Sequence, residues 1–306
     1  MPGILTGRAL RAQFTLALYT ALVLGTCLVP PPAANAQERF SIVVSTEQDD
    51  VGRMLKLAGL RDGDVVYDLG SGDGRIVLEA AKLNRTARGR GIEIDEKLVM
   101  ESRNTAKTDG VADRVQILHQ NAFDADLKDA TIISMWLWPE IMRMLRPKIL
   151  REARPGTRVV TRIWDLGSWK PDAEDKDGAH LYMWVVPAKV EGYWNWTLPF
   201  GKAKRSYAAV MEQRFQEVEG VVRSASRRGV FDTMKLNGDE LTFSLMMTLD
   251  GVGLVRHQFS GRVRGDVIEG TVRILHEPYE TAFELPWRAE RAQTSAYFAP
   301  TGLGSK

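Results

Sequence analysis

The stretch Val65–Ala81, VVYDLGSGDGRIVLEAA, decides the fold. Val65 to Leu69 form a run too short for a helix and too apolar for a surface strand, so they read as a buried strand. Gly70, Gly72 and Gly74 then stand at every second position, as in a turn where φ must be positive or two backbones must approach closely. After the turn, Ile76, Val77, Ala80 and Ala81 recur at the spacing of one helical face. The glycine spacing is not the G-x-G-x-x-G of a pyrophosphate turn, and no P-loop lysine follows. About twenty residues further on, Glu93 and Asp95 end the next apolar run, the place from which an acid accepts hydrogen bonds from ribose hydroxyls. Backbone amides near the glycines are expected to face the ligand's polar tail. The pattern therefore suits a nucleoside carrying an amino-acid tail better than a dinucleotide. Asp68 has a second reading as an acid that caps the turn.

Working outward, helix and strand alternate from Ser45 to about Pro187. Ser45 and Gln48 have capping-box spacing, and Val51, Met54, Leu55 and Ala58 follow on one helical face. Further strands are expected at Gly89 to Ile94, Val115 to Leu118, Thr131 to Trp136 and Thr157 to Trp164, with helices over Asp95 to Thr108 and Pro139 to Glu152. This alternation predicts a doubly wound parallel sheet with its ligand at the carboxyl ends of the strands. Beyond Pro187 the period changes to two. Trp194, Trp196 and Leu198 alternate with polar residues, as do Leu241, Phe243, Leu245 and Met247, and glycines recur inside the strands. Residues 188–295 thus read as an antiparallel β-barrel-like or β-sandwich domain, residues 37–187 as the α/β domain, and residues 296–306 as a flexible tail.

With 306 residues, 44% hydrophobic and 26% charged, the chain can bury two cores. Its 41 basic and 39 acidic residues are interspersed, which disfavours nucleic acid as a partner. Residues 1–36 have the order of a secretory signal: Arg8 and Arg11, an apolar run from Phe14 to Leu28, three prolines, then Ala34-Asn35-Ala36. This predicts an exported, periplasmic protein, with a membrane anchor or a downstream cytosolic start as alternatives. The single cysteine, Cys27, lies within that segment, so the body of the chain has no thiol chemistry. His119, His180, His257 and His276 show no metal-ligand spacing, and no serine stands in a nucleophile elbow.

Through D-L-G-S-G-D-G-R at Asp68 to Arg75 and G-I-E-I-D at Gly91 to Asp95, the chain resembles the class I S-adenosylmethionine-dependent methyltransferases, a Rossmann-like fold. Further runs, G-V-A-D-R-V, L-R-P-K-I-L-R-E, P-G-T-R-V-V and W-K-P-D, look like the protein-lysine methyltransferases that modify the ATP synthase c subunit and the adenine nucleotide translocator, and their bacterial relatives. The resemblance covers about Val44 to Val190. It implies S-adenosyl-L-methionine as cofactor, with Asp68, Gly70, Ser71, Gly72 and Gly74 along its methionine part and Glu93 on its ribose. The acid that usually meets the adenine is replaced here by Asn121, followed by Ala122. The family's hydrophobic-Pro-Glu step after the fourth strand is Trp138-Pro139-Glu140, whereas Val44 to Glu47 lack the prolines common in the family's entry loop. The implied partner is a protein substrate presenting a lysine, with a membrane-associated substrate as one form of it. On this reading Glu140 or Asp165 guides the incoming ammonium and relays its proton, and Trp136, Trp138 and Trp169 form a dry aromatic wall. The tryptophans have a second reading as core, and Glu140 one as a first-turn acid of its helix. Arg143, Arg146 and Lys148 read as the solvated face of an amphipathic helix. An alternative function is an exported, non-catalytic ligand-binding protein built on the same fold.

Overall fold

A computed structural model of the chain describes residues 47–200, 202–276 and 281–293. The expected export signal, Cys27, Ser45 and the 296–306 tail lie outside the described residues.

The first helix, α1, spans Gln48–Leu57 and follows Glu47, whose side chain makes no capping bond. Ser45, whose capping box with Gln48 the spacing predicts, lies outside the described residues. Asp49 and Asp50 stabilise the first turn electrostatically. Asp50 is buried, and it accepts from Arg162 Nε at 2.6 Å and Arg53 Nη1 at 2.8 Å.

Seven strands build the sheet: β1 (Val65–Leu69), β2 (Arg88–Glu93), β3 (Val115–His119), β4 (Ile132–Met135), β5 (Arg158–Arg162), β6 (Ala173–Asp175) and β7 (Leu181–Val185). Their order is β3-β2-β1-β4-β5-β7-β6. The chain runs outward from β1 to β3 and returns to β4 on the other side of β1, so a switch point opens between the ends of β1 and β4. Helices α2 (Arg75–Leu83), α3 (Glu96–Thr108) and α4 (Pro139–Glu152) make the crossovers. The expectation of a parallel sheet holds for β1 to β5, but β7 runs antiparallel to both β5 and β6. No helix separates β5, β6 and β7, so the chain reverses in loops and pairs antiparallel.

Period two assigns the core. Val66, Ile132 and Val160 face Val51, Met54, Val77 and Ala81 on one side of the sheet. Tyr67, Leu69, Ile133 and Met135, with Trp184 of β7, face Met142, Leu145 and Ile149 of α4 on the other. Burial on both faces explains why these strands read as nearly unbroken apolar runs.

The C-terminal eight strands, β8 (Gly192–Phe200), β9 (Ala203–Arg214), β10 (Glu217–Ser224), β11 (Arg227–Asn237), β12 (Glu240–Leu249), β13 (Gly253–Arg264), β14 (Val267–His276) and β15 (Thr281–Ala292), close into an antiparallel barrel. The seam pairs β15 with β8, which decides for a barrel over a sandwich. Trp194, Trp196 and Leu198 point inward with Leu241, Phe243, Leu245 and Met247, as the alternation predicts. Gly270 shows what the strand glycines do: a Cβ there would lie 1.9 Å from the Ser260 carbonyl oxygen. The barrel meets the sheet at Gly238, whose carbonyl accepts from Ala188 N at 2.8 Å and whose Cα side faces Gly156, just before β5. That is the amino end of the strand, opposite the crevice.

Candidate functional site

Asp68 sits near the carboxyl end of β1, 3% exposed, and its Oδ1 accepts from Ser134 Oγ on β4 at 2.8 Å. Burial pushes its carboxyl from 3.8 up to about 7, against the Ser134 bond, and the nearby charges of Glu93 and Asp73 push in the same direction as burial. Gly70 follows with φ 82°, and a Cβ there would lie 2.5 Å from Leu137 Cδ2, so only glycine fits between β1 and the loop after β4. Glu93 is fixed by three amides: Gly72 N donates to Oε2 at 2.7 Å, while Ile94 N and Asp95 N donate to Oε1 at 2.8 and 2.9 Å. A carboxylate has about four acceptor positions, so roughly one is left for a ligand hydroxyl.

One expectation is corrected here. The amides of Gly70 and Ser71 both donate to the Ile92 carbonyl, and Gly72 is taken by Glu93, so these amides are spent inside the fold rather than turned to a ligand. Of the three, Ser71 is buried beside β2, where its amide needs such a partner. Ser71 Oγ is buried without a partner among the described residues, against the Cα of Gly91. Gly74 is the left-handed N-cap of α2, φ 77°, and a Cβ there would lie 3.2 Å from Ser102 Cβ.

Beyond β3, Asn121 Oδ1 accepts from Phe123 N at 2.9 Å and opens a single 3-10 turn, Ala122–Asp124. Asn121 is exposed and Ala122 half-buried. After β4, Trp138 caps α4 and is 44% exposed, with Glu140 exposed in the first turn and without a hydrogen bond or ion pair among the described residues. Asp165, after β5, accepts from Gly167 N at 2.9 Å and Arg143 Nη2 at 3.3 Å. Trp136 lies under the Arg162 guanidinium, 4.3 Å from the ring centroid. Trp169 does not belong to an aromatic wall at the crevice: it is fully buried, tilted on Trp184 at 6.0 Å and stacked on Phe215 of the barrel at 5.9 Å. Its indole is core because the loop after β5 folds back under the sheet before β6. The histidines are also placed: His257 is buried in the barrel, and the other three hydrogen-bond near the surface.

The result is a crevice in which two buried carboxylates, Asp68 and Glu93, stand at adjacent strand ends, neither with an ion-pair partner among the described residues. Such a pit favours a ligand that brings positive charge, and a carboxyl held near 7 by burial is poised to ionise when a cation arrives. The donor set fits a sulfonium nucleoside with an ammonium-bearing tail and does not fit a phosphate, which acids would repel. Around the mouth, the residues following four successive strands are exposed and apolar: Ile94, Phe123, Trp138, Ile163 and Trp164.

Sequence reasoning missed three residues that hold the site. Ser134 is the one hydroxyl in the buried strand Ile132–Met135, and that exception to an apolar run was its signal. Ser102, fully buried on α3, has its hydroxyl 2.6 Å from the Leu98 carbonyl and 2.9 Å from the Gly72 carbonyl, its one proton shared between the two. Arg146 donates from Nη1 to the Leu166 carbonyl at 2.5 Å, so the basic face of α4 is only partly solvated.

Known proteins are similar to the first part of this chain. The family model of the ANTKMT methyltransferase domain matches residues 68–173. A protein-lysine N-methyltransferase of Saccharolobus islandicus is 36% identical over 148 residues, covering 47% of this chain and 92% of that protein. The mouse adenine nucleotide translocase lysine N-methyltransferase is 32% identical over 164 residues, covering 53% of this chain and 69% of that protein. Among solved structures, an RNA methyltransferase from Salinibacter ruber in complex with S-adenosyl-L-homocysteine is 44% identical, covering 48% of this chain and 96% of that one, with a TM-score of 0.47. With its acid-lined crevice at the switch point and a relative matched over nearly its whole length, this chain belongs to the S-adenosylmethionine-dependent protein-lysine N-methyltransferases.

Proposed function

We propose that the chain methylates a lysine side chain on a membrane-associated protein. The observation that carries this reading is the ring of exposed apolar residues around an acidic crevice. Tryptophan and isoleucine at a rim favour a partner surface that is itself apolar, and Trp138 and Trp164 are the amphipathic type found where membranes meet water. The positive, apolar, small-residue order of residues 1–36 supports an acceptor reached by export, and a native chain beginning at Gln37 is the expected mass-spectrometric result.

Bound S-adenosylmethionine would supply an electrophilic methyl group on a positively charged sulfur. In this proposal Asp68 and Glu93 hold it, Asp68 through charge at its tail and Glu93 through a ribose hydroxyl. Asn121 accepts from its adenine amino group beside Ala122. The chain then has three tasks of its own. Gly70 and Leu137 close the floor of the crevice and exclude water. Trp138 and Trp164 flank the incoming lysine stem, and their low polarity lowers the ammonium pKa toward the free amine that is nucleophilic. Glu140 accepts the ammonium's charge and carries its proton to solvent. Asp165 is the weaker candidate, because Arg143 already occupies it.

The test is transfer of tritiated methyl groups from S-adenosylmethionine to protein in envelope membranes, followed by amino-acid analysis. Label in methyllysine is expected. Label confined to RNA or lipid would overturn the reading.

A further inference from the structure

The β-barrel has no counterpart in the family match, which ends at residue 173. One point of it nevertheless reaches the acceptor side of the site. The turn between β9 and β10 consists of Phe215 and Gln216, and Phe215 holds φ 59°, a left-handed conformation that favours glycine. Closing the hairpin does not require an aromatic ring there. Its ring is instead delivered into the sheet half of the molecule, stacked on Trp169 with planes 17° apart, while the Arg146 guanidinium of α4 lies 5.4 Å from its centroid. Gln216 Nε2 donates to the Lys170 carbonyl at 2.7 Å. The turn is itself braced, since Gln213 Nε2 donates to the Phe215 carbonyl at 2.7 Å and to the Ala188 carbonyl at 2.8 Å.

These contacts converge on the loop of residues 163–172. That loop leaves the carboxyl end of β5 at Ile163, itself strained at φ 68°, presents Trp164 and Asp165 at the mouth of the crevice, and buries Leu166 and Trp169. Arg146 joins the two sides: one face meets Phe215, and its Nη1 donates to Leu166 O and, at 3.3 Å, to Ser168 Oγ. Non-glycine residues in left-handed conformations at both ends of one set of contacts mark backbone held by its surroundings. The loop has no helix of its own; β7 and the residue before it tie its ends, through Ile163 N to the His180 carbonyl at 2.7 Å and Asp172 N to the Met183 carbonyl at 2.8 Å, and Trp184 Nε1 donates to the Trp169 carbonyl at 2.8 Å, while α4 and the barrel turn brace its outer side.

We propose that the β9–β10 turn is a strut that fixes the 163–172 loop, making Phe215, Gln216 and Arg146 positioning residues for the protein acceptor. The proposal rests on the reading that Trp164 and Asp165 face the acceptor. It predicts that the barrel governs acceptor binding and leaves the cofactor crevice, whose acids end β1 and β2, unaffected.

The experiment uses the full chain and its Phe215→Gly variant, because glycine accepts φ 59° and removes only the ring. Amides of residues 163–172 are expected to lose protection against hydrogen exchange about tenfold, as local opening becomes easier. The acceptor KM rises about tenfold, a cost of the size of one aromatic contact and its buried neighbours, with kcat and cofactor Kd within about twofold of the wild type. Phe215→Tyr restores both. Gln216→Ala, which removes the bond to the Lys170 carbonyl and leaves the Phe215 ring in place, gives the same pattern at smaller amplitude and keeps the test open should the glycine variant not fold. Unchanged exchange in 163–172 overturns the strut, as does a parallel loss of cofactor and acceptor binding. If the wild type methylates no protein, the proposed function fails, while the exchange experiment still decides the strut.

Discussion

Replacing Asp68 by asparagine separates stability from binding. Asparagine keeps the shape and lets its own Oδ1 accept the Ser134 hydroxyl, so the variant differs from the wild type mainly in charge. In the folded chain burial raises the Asp68 carboxyl from 3.8 to about 7. A group raised in this way contributes fully to stability below its unfolded value and loses that contribution as pH rises through its folded value. The window therefore runs from about pH 4 to pH 7, and at 1.36 kcal/mol per pH unit the loss approaches roughly 4 kcal/mol above pH 7. Asp68→Asn has no such loss. At pH 8 the variant's β1 amides should be more protected against exchange than those of the wild type by a few kcal/mol, and at pH 4 the two should coincide. S-adenosylmethionine binding should move the other way, weakening at least tenfold, because the charge that costs stability is the one that meets the ligand's cation. Calorimetry at pH 6.5 in buffers of different ionisation heat should find proton release on binding to the wild type only. A variant equally or less stable at pH 8, or one that binds normally, would refute the reasoning.

Three further outcomes follow from the same geometry. Gly70→Ala must leave φ 82° and displace Leu137, a combined cost of roughly 2–4 kcal/mol, and should abolish cofactor binding measured by calorimetry even where circular dichroism shows a folded chain. Glu140→Gln should lower kcat/KM for the acceptor at least tenfold with cofactor Kd unchanged, whereas Asp165→Asn should have the smaller effect because Arg143 already holds that carboxylate. In the barrel, burial lowers His257 from 6.5 to about 4, with Tyr207 OH 3.0 Å from its Nε2. Its contribution is present above pH 6.5 and lost as pH falls through 4, so near-UV circular dichroism should show the barrel weakening by up to roughly 3 kcal/mol across that window, and His257→Gln should flatten the dependence.

How far these features were legible in the sequence varies with the distance over which they are determined. The elements around Val65 to Ala81 and the helix from Pro139 to Glu152 are local: glycine conformations, a proline at the first helical position and unbroken apolar runs specify them within a few residues. The barrel was legible as alternation but not as a closed ring, because closure depends on β15 finding β8 across the whole domain. The acids at the ends of β1 and β2 were visible as residues, but the spending of the glycine-loop amides on Ile92 and Glu93 was not, since it arises only when two strands lie side by side. Trp169 shows the same limit. Its position after β5 suggested the crevice, and only the return of the chain beneath the sheet and the arrival of Phe215 from the barrel make it core.

That last contact bears on why the chain carries two halves. The Saccharolobus relative is matched over 92% of its length by only 47% of this chain, so the sheet half corresponds to a nearly complete relative. The chemistry of methyl transfer therefore does not require the barrel. The barrel meets the sheet at the amino end of β5, where Gly238 lies against Gly156. Among the described residues, the β9–β10 turn and the adjoining Glu217 reach the loop after β5, which carries Trp164 and Asp165 rather than the acids at the ends of β1 and β2. A domain added to alter cofactor use would have to touch Asp68, Gly70 or Glu93, and the described residues of the barrel touch none of them. A domain added to alter which acceptor is admitted needs only to set the loop after β5, and that is the loop it holds.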